Sequence, residues 1–154
     1  MEIVRTDYTD PRFVQMCHVL DESQRQVLPE WDSLGKSSVT KLDILSDVVL
    51  ILDNGMPVAA AGLDTTSDTL PCVRRVIVCP RYRGQGLGQM VCGEIEKIAV
   101  EKGFDTMRLY VGSYLNAARK LYKKMGYSQV GEKTSPTGHV DIIMEKKLLT
   151  PRNF

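Results

Sequence analysis

The stretch "CPRYRGQGLGQM", Cys79 to Met90, holds two arginines and three glycines directly after an apolar, β-branched run. The preceding residues predict a strand that stops at Pro80, and the following ones predict a helix from Gly86 to Lys102. The first N–H groups of a helix lack intrahelical partners, and the helix dipole adds partial positive charge there. Glycines let an anion approach such amides closely. The stretch therefore predicts a phosphate-binding loop, with a plain tight turn as the alternative.

The glycine spacing excludes the two common nucleotide-binding loops. A P-loop has four residues between its glycines and then Gly-Lys-Ser/Thr, and nothing in the chain supplies that pattern. A dinucleotide-binding loop reads GxGxxG, whereas the third glycine of "GQGLGQ", residues 84–89, comes one residue early. The phosphate-bearing ligand is therefore expected to belong to another class.

The rest of the chain predicts a single α/β (α+β) domain over residues 1–154. Apolar runs on both sides of Asp53-Asn54-Gly55 indicate a β-hairpin. Strands are predicted in "EIVRT", both arms of "DVVLILDNGMPVAAAGL", "CVRRVIVCP", "TMRLYVG", "YSQVGEK" and "HVDIIMEKKL". Helices are predicted from Asp10-Pro11, in "SSVTKLDIL", after the glycine loop and in "YLNAARKLYKKMG". This order of elements predicts a mixed sheet with helices packed on it.

Composition narrows the range of partners. The net charge is +1, from 20 basic and 19 acidic residues, so there is no general reason to expect nucleic acid or an anionic membrane. No apolar run reaches the roughly 18 residues of a membrane span, and the first residues lack a signal-peptide pattern. The four cysteines have no metal-ligand spacing. They are predicted to be small buried hydrophobes in a reduced, cytoplasmic protein without a metal, with a reactive or bridged thiol as the alternative.

The glycine loop resembles the acyl-CoA loop of the GNAT family of N-acetyltransferases, whose pattern is Arg/Gln-x-x-Gly-x-Gly/Ala. Arg81, Gly84 and Gly86 meet this pattern, and Leu87-Gly88 is a frequent extension of it. Residues 117–127, "AARKLYKKMGY", are similar to the second hallmark of the family, an Ala-x-x-Leu-Tyr helix that ends in Gly-aromatic. Two hallmarks in the family's order are more specific than either alone, and the strong similarity covers about residues 72–131.

The resemblance implies acetyl-CoA as cosubstrate, bound where two strands of a mostly antiparallel sheet splay apart. Main-chain groups of Val76, Ile77 and Val78 would pair with the pantetheine arm. The implied cofactor-binding residues of the loop and helix start are Arg81, Arg83, Gly84, Gln85, Gly86, Leu87 and Gly88. Asn116 stands one residue out of register with an asparagine that contacts pantetheine in many relatives. A polar helix-start residue is therefore the alternative role for Asn116.

The resemblance also implies an activity, transfer of the acetyl group to a primary amine of a small molecule or peptide by direct attack. Tyr122 matches the family tyrosine that protonates the departing CoA thiolate, and a phenol with a pKa of about 10 suits that role. Its position on an apolar helix stripe makes core packing the alternative. A catalytically silent CoA-binding sensor or interaction module and a longer acyl donor stay open. Homodimers are common in the family, so a homodimer is open too.

The residues that would bind the acceptor and act as general base have no distinctive sequence pattern. Asp64 and His139 are candidates for the general base on placement alone. Arg74 and Arg75 are neighbours in a predicted strand, so one is expected to face the cleft and the other to face away. Either arginine could bind an acidic substrate group, with an internal salt bridge as the alternative. Trp31 is a candidate wall residue of the acceptor site, or else a packing anchor.

Overall fold

The fold is that of a computed structural model, and the structure describes residues 1–148. The predicted domain end at residue 154 lies outside this range. The strands are β1 (Glu2–Thr6), β2 (Leu45–Asp53), β3 (Met56–Asp64), β4 (Cys72–Val78), β5 (Thr106–Gly112), β6 (Ser128–Thr134) and β7 (Val140–Lys147). They form one sheet in the order β1-β2-β3-β4-β5-β7-β6. Every pair in this described sheet is antiparallel except β4–β5, which confirms the predicted mixed, mostly antiparallel sheet.

Three α-helices pack on the sheet: α1 (Pro11–Val27), α2 (Leu87–Glu101) and α3 (Asn116–Lys124). The Asp10 side chain accepts a hydrogen bond from the Arg12 N–H at 2.9 Å, and Pro11 is the first helical residue, which confirms the predicted start of α1. One face of the sheet packs on α1 through Phe13 and Met16. The other face packs on α2 and α3.

The helix predicted in "SSVTKLDIL" is wrong. Residues 37–41 form a turn and a bend, Leu42–Ile44 is one 3-10 turn, and β2 begins at Leu45. Lys41 has a left-handed φ of 55°, which a continuing α-helix does not allow. The N–H and hydroxyl of Ser38 each donate to Asp21 of α1 at 2.7 Å. These tertiary contacts outweigh the weak helix propensity of the segment.

The β2–β3 hairpin turns as its sequence predicts. Asn54 and Gly55 have φ values of 50° and 81°, the paired positive values of a type I′ turn. Most side chains of the two strands are buried, and β3 is rich in alanine where α2 packs against it. The hairpin therefore lies between β1 and β4 in the sheet and holds β4 in place through β3.

Strands β4 and β5 separate soon after they meet. Their only described pair is Cys72 with Arg108, so the rest of β4 has no strand partner on that side. The pairing of β4 with β3 also shifts, from Gly62–Arg74 to Ala60–Ile77. This bulge is centred on Arg75, whose φ is 56°. The predicted splayed strand pair is confirmed, and the splay leaves a gap at the middle of the sheet.

Candidate functional site

A groove of about 470 Å³ runs along the unpaired edge of β4, and we call it the loop groove. One wall is Val76–Val78 of β4. The floor and end are residues 83–84 of the glycine loop and residues 86–89 at the start of α2. The opposite wall is α3, including Tyr122, and Leu20 and Gln24 of α1 close the top.

The glycine loop offers the groove a run of free amides. Within residues 1–148, the six consecutive N–H groups of residues 84–89 have no hydrogen-bond acceptor, and the first bond of α2 joins the Met90 N–H to the Gly86 carbonyl at 3.0 Å. Gly84 and Gly86 have φ values of 78° and 82°, which a side chain would strain. A Cβ on Gly88 would lie 3.1 Å from Leu121 Cδ2, so this glycine lets α2 approach α3. Such a run of amides at a helix start binds anions.

The edge of β4 presents main-chain groups to the same groove. The Cys79 N–H donates to the Val58 carbonyl at 2.9 Å. Antiparallel pairing alternates along a strand, so the N–H and C=O of Val78 point away from β3 and into the gap. Arg83 confirms this direction because its Nε donates to the Val78 carbonyl at 3.3 Å. Its Nη2 also donates to Ser23 Oγ at 3.1 Å, which links the loop to α1.

The structure brings together most of the residues predicted for the cofactor. The predicted residues that line the loop groove are Val76, Ile77, Val78, Arg83, Gly84, Gly86, Leu87 and Gly88. Arg81 and Gln85 are exposed on the loop and do not line it. Asn116 is the first residue of α3 and lines a separate groove with Lys120 and Lys123, where its Oδ1 lies 3.5 Å from Arg119 Nη1.

Tyr122 lies where the loop groove meets a second cavity. It is 8% exposed, and its ring packs edge-on against Tyr127 with centroids 6.1 Å apart. Its hydroxyl makes no hydrogen bond to the described residues, among which no buried side-chain oxygen lacks a partner. The hydroxyl therefore opens onto the cavities. Burial raises the pKa of Tyr122, so the phenol stays protonated at neutral pH, and the shift makes it a weaker acid than an unburied phenol.

The second cavity, of about 340 Å³, lies on the other side of Tyr122, and we call it the arginine cavity. Its walls come from α1, the segment from Trp31 to Lys41, residues 73–76 of β4, the end of β5 and Asp141 of β7. The Tyr114 hydroxyl donates to Gln24 Oε1 at 3.2 Å and joins the end of β5 to α1 above the cavity. Five residues line both spaces: Leu20, Gln24, Val76, Ala118 and Tyr122.

Arg74 and Arg75 both line the arginine cavity, so the expectation that they face opposite ways is wrong. The bulge at Arg75 breaks the alternation of the strand. Arg74 Nε pairs with Asp64 at 2.8 Å, and its guanidinium lies 5.4 Å from the centre of the Tyr110 ring. Arg75 donates instead to the backbone carbonyls of Ser38 and Thr40.

Neither Asp64 nor His139, the two candidates for the general base, lines the loop groove or the arginine cavity. Asp64 is buried and accepts hydrogen bonds from the Thr66 N–H at 2.8 Å and from Arg74. Burial alone would raise its pKa, but these bonds outweigh it and hold the pKa of Asp64 below the ordinary value. The acidic residue that does line the arginine cavity, within the described chain, is Asp141, at 3.5 Å from Lys36. Sequence reasoning missed Asp141, because four of the eight residues of β7 are charged and no local pattern distinguishes this aspartate from the others.

Asp21 anchors the segment that forms the outer wall of the arginine cavity. It is 1% exposed and accepts from Trp31 Nε1 at 2.8 Å, Ser37 Oγ at 3.1 Å, and both the N–H and the hydroxyl of Ser38 at 2.7 Å. Burial opposes ionisation, but the four bonds outweigh it and lower the pKa of Asp21. Trp31 therefore both lines the cavity and anchors its wall.

The cysteines take no part in either space. All four are free thiols, and Cys17, Cys72 and Cys92 are buried, as predicted. Burial raises their pKa values to about 12, 11 and 12, so none is a thiolate at neutral pH. In the described part of the chain, no group of three or more histidine, cysteine, aspartate or glutamate side chains could hold a metal ion. No helix within residues 1–148 is long and apolar enough to cross a bilayer.

A family model and curated proteins are each similar to part of the chain. The family model for the acetyltransferase (GNAT) family matches residues 13–127. Thialysine N-ε-acetyltransferase from Bos taurus is 35% identical over 57 residues, which are 37% of this chain and 34% of that protein. The chain therefore matches only about a third of the length of these curated relatives.

Solved structures resemble the whole fold. An aminoglycoside 6′-N-acetyltransferase in complex with coenzyme A aligns over 97% of this chain and 98% of its own, with a TM-score of 0.74 and 19% identity. The ribosomal-protein-S18-alanine N-acetyltransferase from Escherichia coli aligns over 99% and 97%, with a TM-score of 0.69 and 19% identity. Identities this low support the fold alone. The family model, which matches more than half of the chain at residues 13–127, shows that the chain belongs to the GNAT family of acetyltransferases.

Proposed function

We propose that this protein transfers an acetyl group from acetyl-CoA to a primary amine by direct attack of the amine on the thioester. The observation that carries this proposal is the run of free amides at residues 84–89 beside the unpaired edge of β4. The amides suit a diphosphate, and the strand edge suits the amide groups of a pantetheine arm. Both features adjoin one groove that ends at Tyr122.

In this proposal the loop groove binds the donor. The diphosphate lies on the amides from Gly84 to Gln89, and pantetheine pairs with the main chain of Val76 to Val78. Arg81 and Gln85, exposed on the loop, act from outside the groove on the phosphates. Asn116 has no part in it because it lines a different groove.

The thioester is placed where the two spaces meet. The amine attacks its carbonyl carbon from the arginine cavity, the new C–N bond forms, and the C–S bond breaks with its electron pair on sulfur. The Val78 N–H points into the gap and stabilises the oxyanion. Tyr122 then donates a proton to the thiolate.

The amine must lose a proton during transfer. Asp141 lines the arginine cavity and orients the incoming ammonium group, which first loses one proton to water because only the neutral amine is a nucleophile. The second proton leaves the nitrogen once the C–N bond has formed, and water carries it to Tyr122, whose phenol is restored after its donation to the thiolate. No covalent acyl-enzyme is needed, in agreement with the protonated thiols of the buried cysteines. Two similar proteins are named for the acetylation of amines, thialysine and an aminoglycoside, which supports an amine acceptor and leaves its identity open.

A silent CoA-binding module is the second candidate, and the ion pairs of the carboxylates favour it. Asp64 is held by Arg74, and Asp141 lies beside Lys36, so neither of these two carboxylates is an unpaired base. Such a protein would use the same loop groove as a sensor and would release no thiol.

Thiol release from acetyl-CoA with a panel of amines tests the proposal. We expect CoA to raise the melting temperature and at least one class of amine to release free CoA above the rate of hydrolysis. Stabilisation by CoA without turnover on any amine would favour the silent module. No stabilisation by CoA or acetyl-CoA would overturn both candidates.

A further inference from the structure

The arginine cavity carries an excess of positive charge. Its charged lining residues are Lys36, Lys41, Arg74, Arg75 and Asp141. Lys36 lies 3.5 Å from Asp141, and Arg74 lies 2.8 Å from Asp64. Within residues 1–148, Arg75 and Lys41 make no ion pair with any carboxylate. Lys41 and Arg75 are therefore available to pair with an anionic group of a ligand that enters the cavity.

Arg75 is held in position without being neutralised. Its Nε donates to the Ser38 carbonyl at 3.1 Å, and its Nη2 donates to the Thr40 carbonyl at 2.9 Å. Its Nη1 makes no hydrogen bond to the described residues and is not buried, because no buried side-chain nitrogen there lacks a partner. Asp21, which anchors the same segment, accepts its hydrogen bonds from Trp31, Ser37 and Ser38 and none from Arg75. A half-buried guanidinium that is held only by neutral carbonyls lowers the stability of the fold unless an anion supplies a counter-charge.

The backbone is strained at these two cations. Three residues other than glycine have positive φ in the described chain: Lys41, Asn54 and Arg75. Asn54 forms the hairpin turn, where this conformation is ordinary. Arg75 lies at the bulge of β4 and Lys41 directly before the 3-10 turn, and long side chains rarely adopt this conformation even there. Backbone strain from a positive φ is common at binding sites, where it directs side chains towards a ligand.

We propose that the acceptor is a small molecule that carries a carboxylate as well as its primary amine. The carboxylate binds Arg75 and Lys41, and the amine points towards Asp141 and Tyr122. This inference rests on the proposed acetyl transfer and adds the class of acceptor. A planar guanidinium matches the two oxygens of a carboxylate. A cavity of about 340 Å³ suits a small molecule.

Two matched series of acceptors test the inference. One is a set of ω-amino acids with an increasing number of methylenes between amine and carboxylate, and the other is the corresponding ω-amino carboxamides. Each pair shares the amine and the chain length and differs only in the charge of the far end. We expect kcat/KM to be about tenfold or more higher for the best carboxylate than for its carboxamide. Carboxamides that react as well as the carboxylates would overturn the proposal while leaving acetyl transfer intact.

Variants of Lys41 and Arg75 test whether these two residues cause the preference for carboxylate acceptors. Lys41→Gln and Arg75→Gln are each expected to lower the carboxylate-to-carboxamide ratio at least threefold. Lys41 is exposed and its side chain forms no hydrogen bond within residues 1–148, so its replacement keeps the fold even if Arg75→Gln displaces the neighbouring segment. Lys147→Gln is the matched control, because Lys147 lies at the opposite end of β7 from Asp141 and should leave the ratio unchanged. An unchanged ratio in Lys41→Gln and Arg75→Gln would overturn the assignment.

Calorimetry on the CoA complex separates this inference from the proposed function. The carboxylates are titrated without an acetyl donor, so no turnover is required. Binding of a carboxylate that is lost in Arg75→Gln supports the inference even if no thiol is released. Absence of binding by every carboxylate overturns it, and tighter binding of matched aminoalkylphosphonates overturns the assignment of a carboxylate.

Discussion

The loop groove and the arginine cavity meet at Tyr122, yet they are built from different kinds of atoms. One side of the groove comes from a single stretch, Val76 to Gln89, which offers main-chain groups, and α3 and α1 form the other side. The cavity consists of side chains that come from residues as far apart as Leu20 and Asp141. A site made of backbone is encoded by local glycine spacing, whereas a site made of side chains depends on how distant segments pack.

This difference implies that the two spaces respond separately to mutation. Changes in the glycine loop should alter donor binding and leave the acceptor side intact. Changes in the segment from Trp31 to Lys41 should do the reverse. Tyr122 lines both spaces, so its replacement should affect the chemical step itself.

Tyr122→Phe is expected to have the largest effect. Loss of the hydroxyl removes the proposed proton donor and should lower kcat about 100-fold. The ring and its edge-on contact with Tyr127 are kept, so the melting temperature and the Kd for CoA should stay close to those of the wild type. Steady-state kinetics and calorimetry measure both quantities.

Tyr114→Phe is the control for that variant. It removes a hydroxyl from the same cavity, one that donates to Gln24 at 3.2 Å. We expect its kcat to stay within about threefold of the wild type. Equal losses in the two variants, or an unchanged kcat in Tyr122→Phe, would remove the acid role of Tyr122.

Asp21→Asn should disturb the acceptor side alone. The buried carboxylate accepts four hydrogen bonds, and an amide cannot accept all of them. We expect the free energy of unfolding to fall by about 2 kcal/mol and the acceptor KM to rise, with the Kd for CoA unchanged. Equal weakening of CoA binding would show that the two spaces are not separable.

The same variant has a defined pH dependence. The pKa of Asp21 is lowered on folding, so its contribution to stability is fully present above its unfolded pKa of about 3.9 and is lost as pH falls through the lower folded value. The difference in unfolding free energy between wild type and Asp21→Asn should be constant from about pH 5 to 8 and should shrink below about pH 4. Denaturant unfolding at a series of pH values measures it, and a difference that grows in acid would contradict this assignment.

Gly86→Ala should disturb the donor side alone. A Cβ at a φ of 82° costs about 1–2 kcal/mol, which the loop relieves by moving its amides. We expect the Kd for CoA to rise about tenfold, with little change in the preference among acceptors. Gly93→Ala is the control, because it lies inside α2 with nothing within 4 Å of its Cβ position and should raise stability slightly. Unchanged CoA binding in Gly86→Ala would separate the loop from the donor site.

The same contrast explains what could be predicted from sequence. The strand before the glycine loop, the helix after it and the Asn54-Gly55 turn depend on neighbouring residues, and their predictions are confirmed. Errors arose where distant contacts decide the backbone. Asp21 holds the segment predicted as a helix in turns, and the bulge at Arg75 directs two successive arginines into one cavity. No local pattern records either contact.

Asn116→Ala should have the smallest effect and marks the edge of the donor site. Asn116 lines a groove with Lys120 and Lys123, outside the loop groove, and its side chain makes one long contact of 3.5 Å with Arg119. We therefore expect the Kd for CoA and the kcat to change by less than about twofold. A loss near that of Gly86→Ala would mean that the cofactor crosses the start of α3. The donor site would then include side chains that the main-chain pattern does not encode, and the contrast between the two spaces would fail.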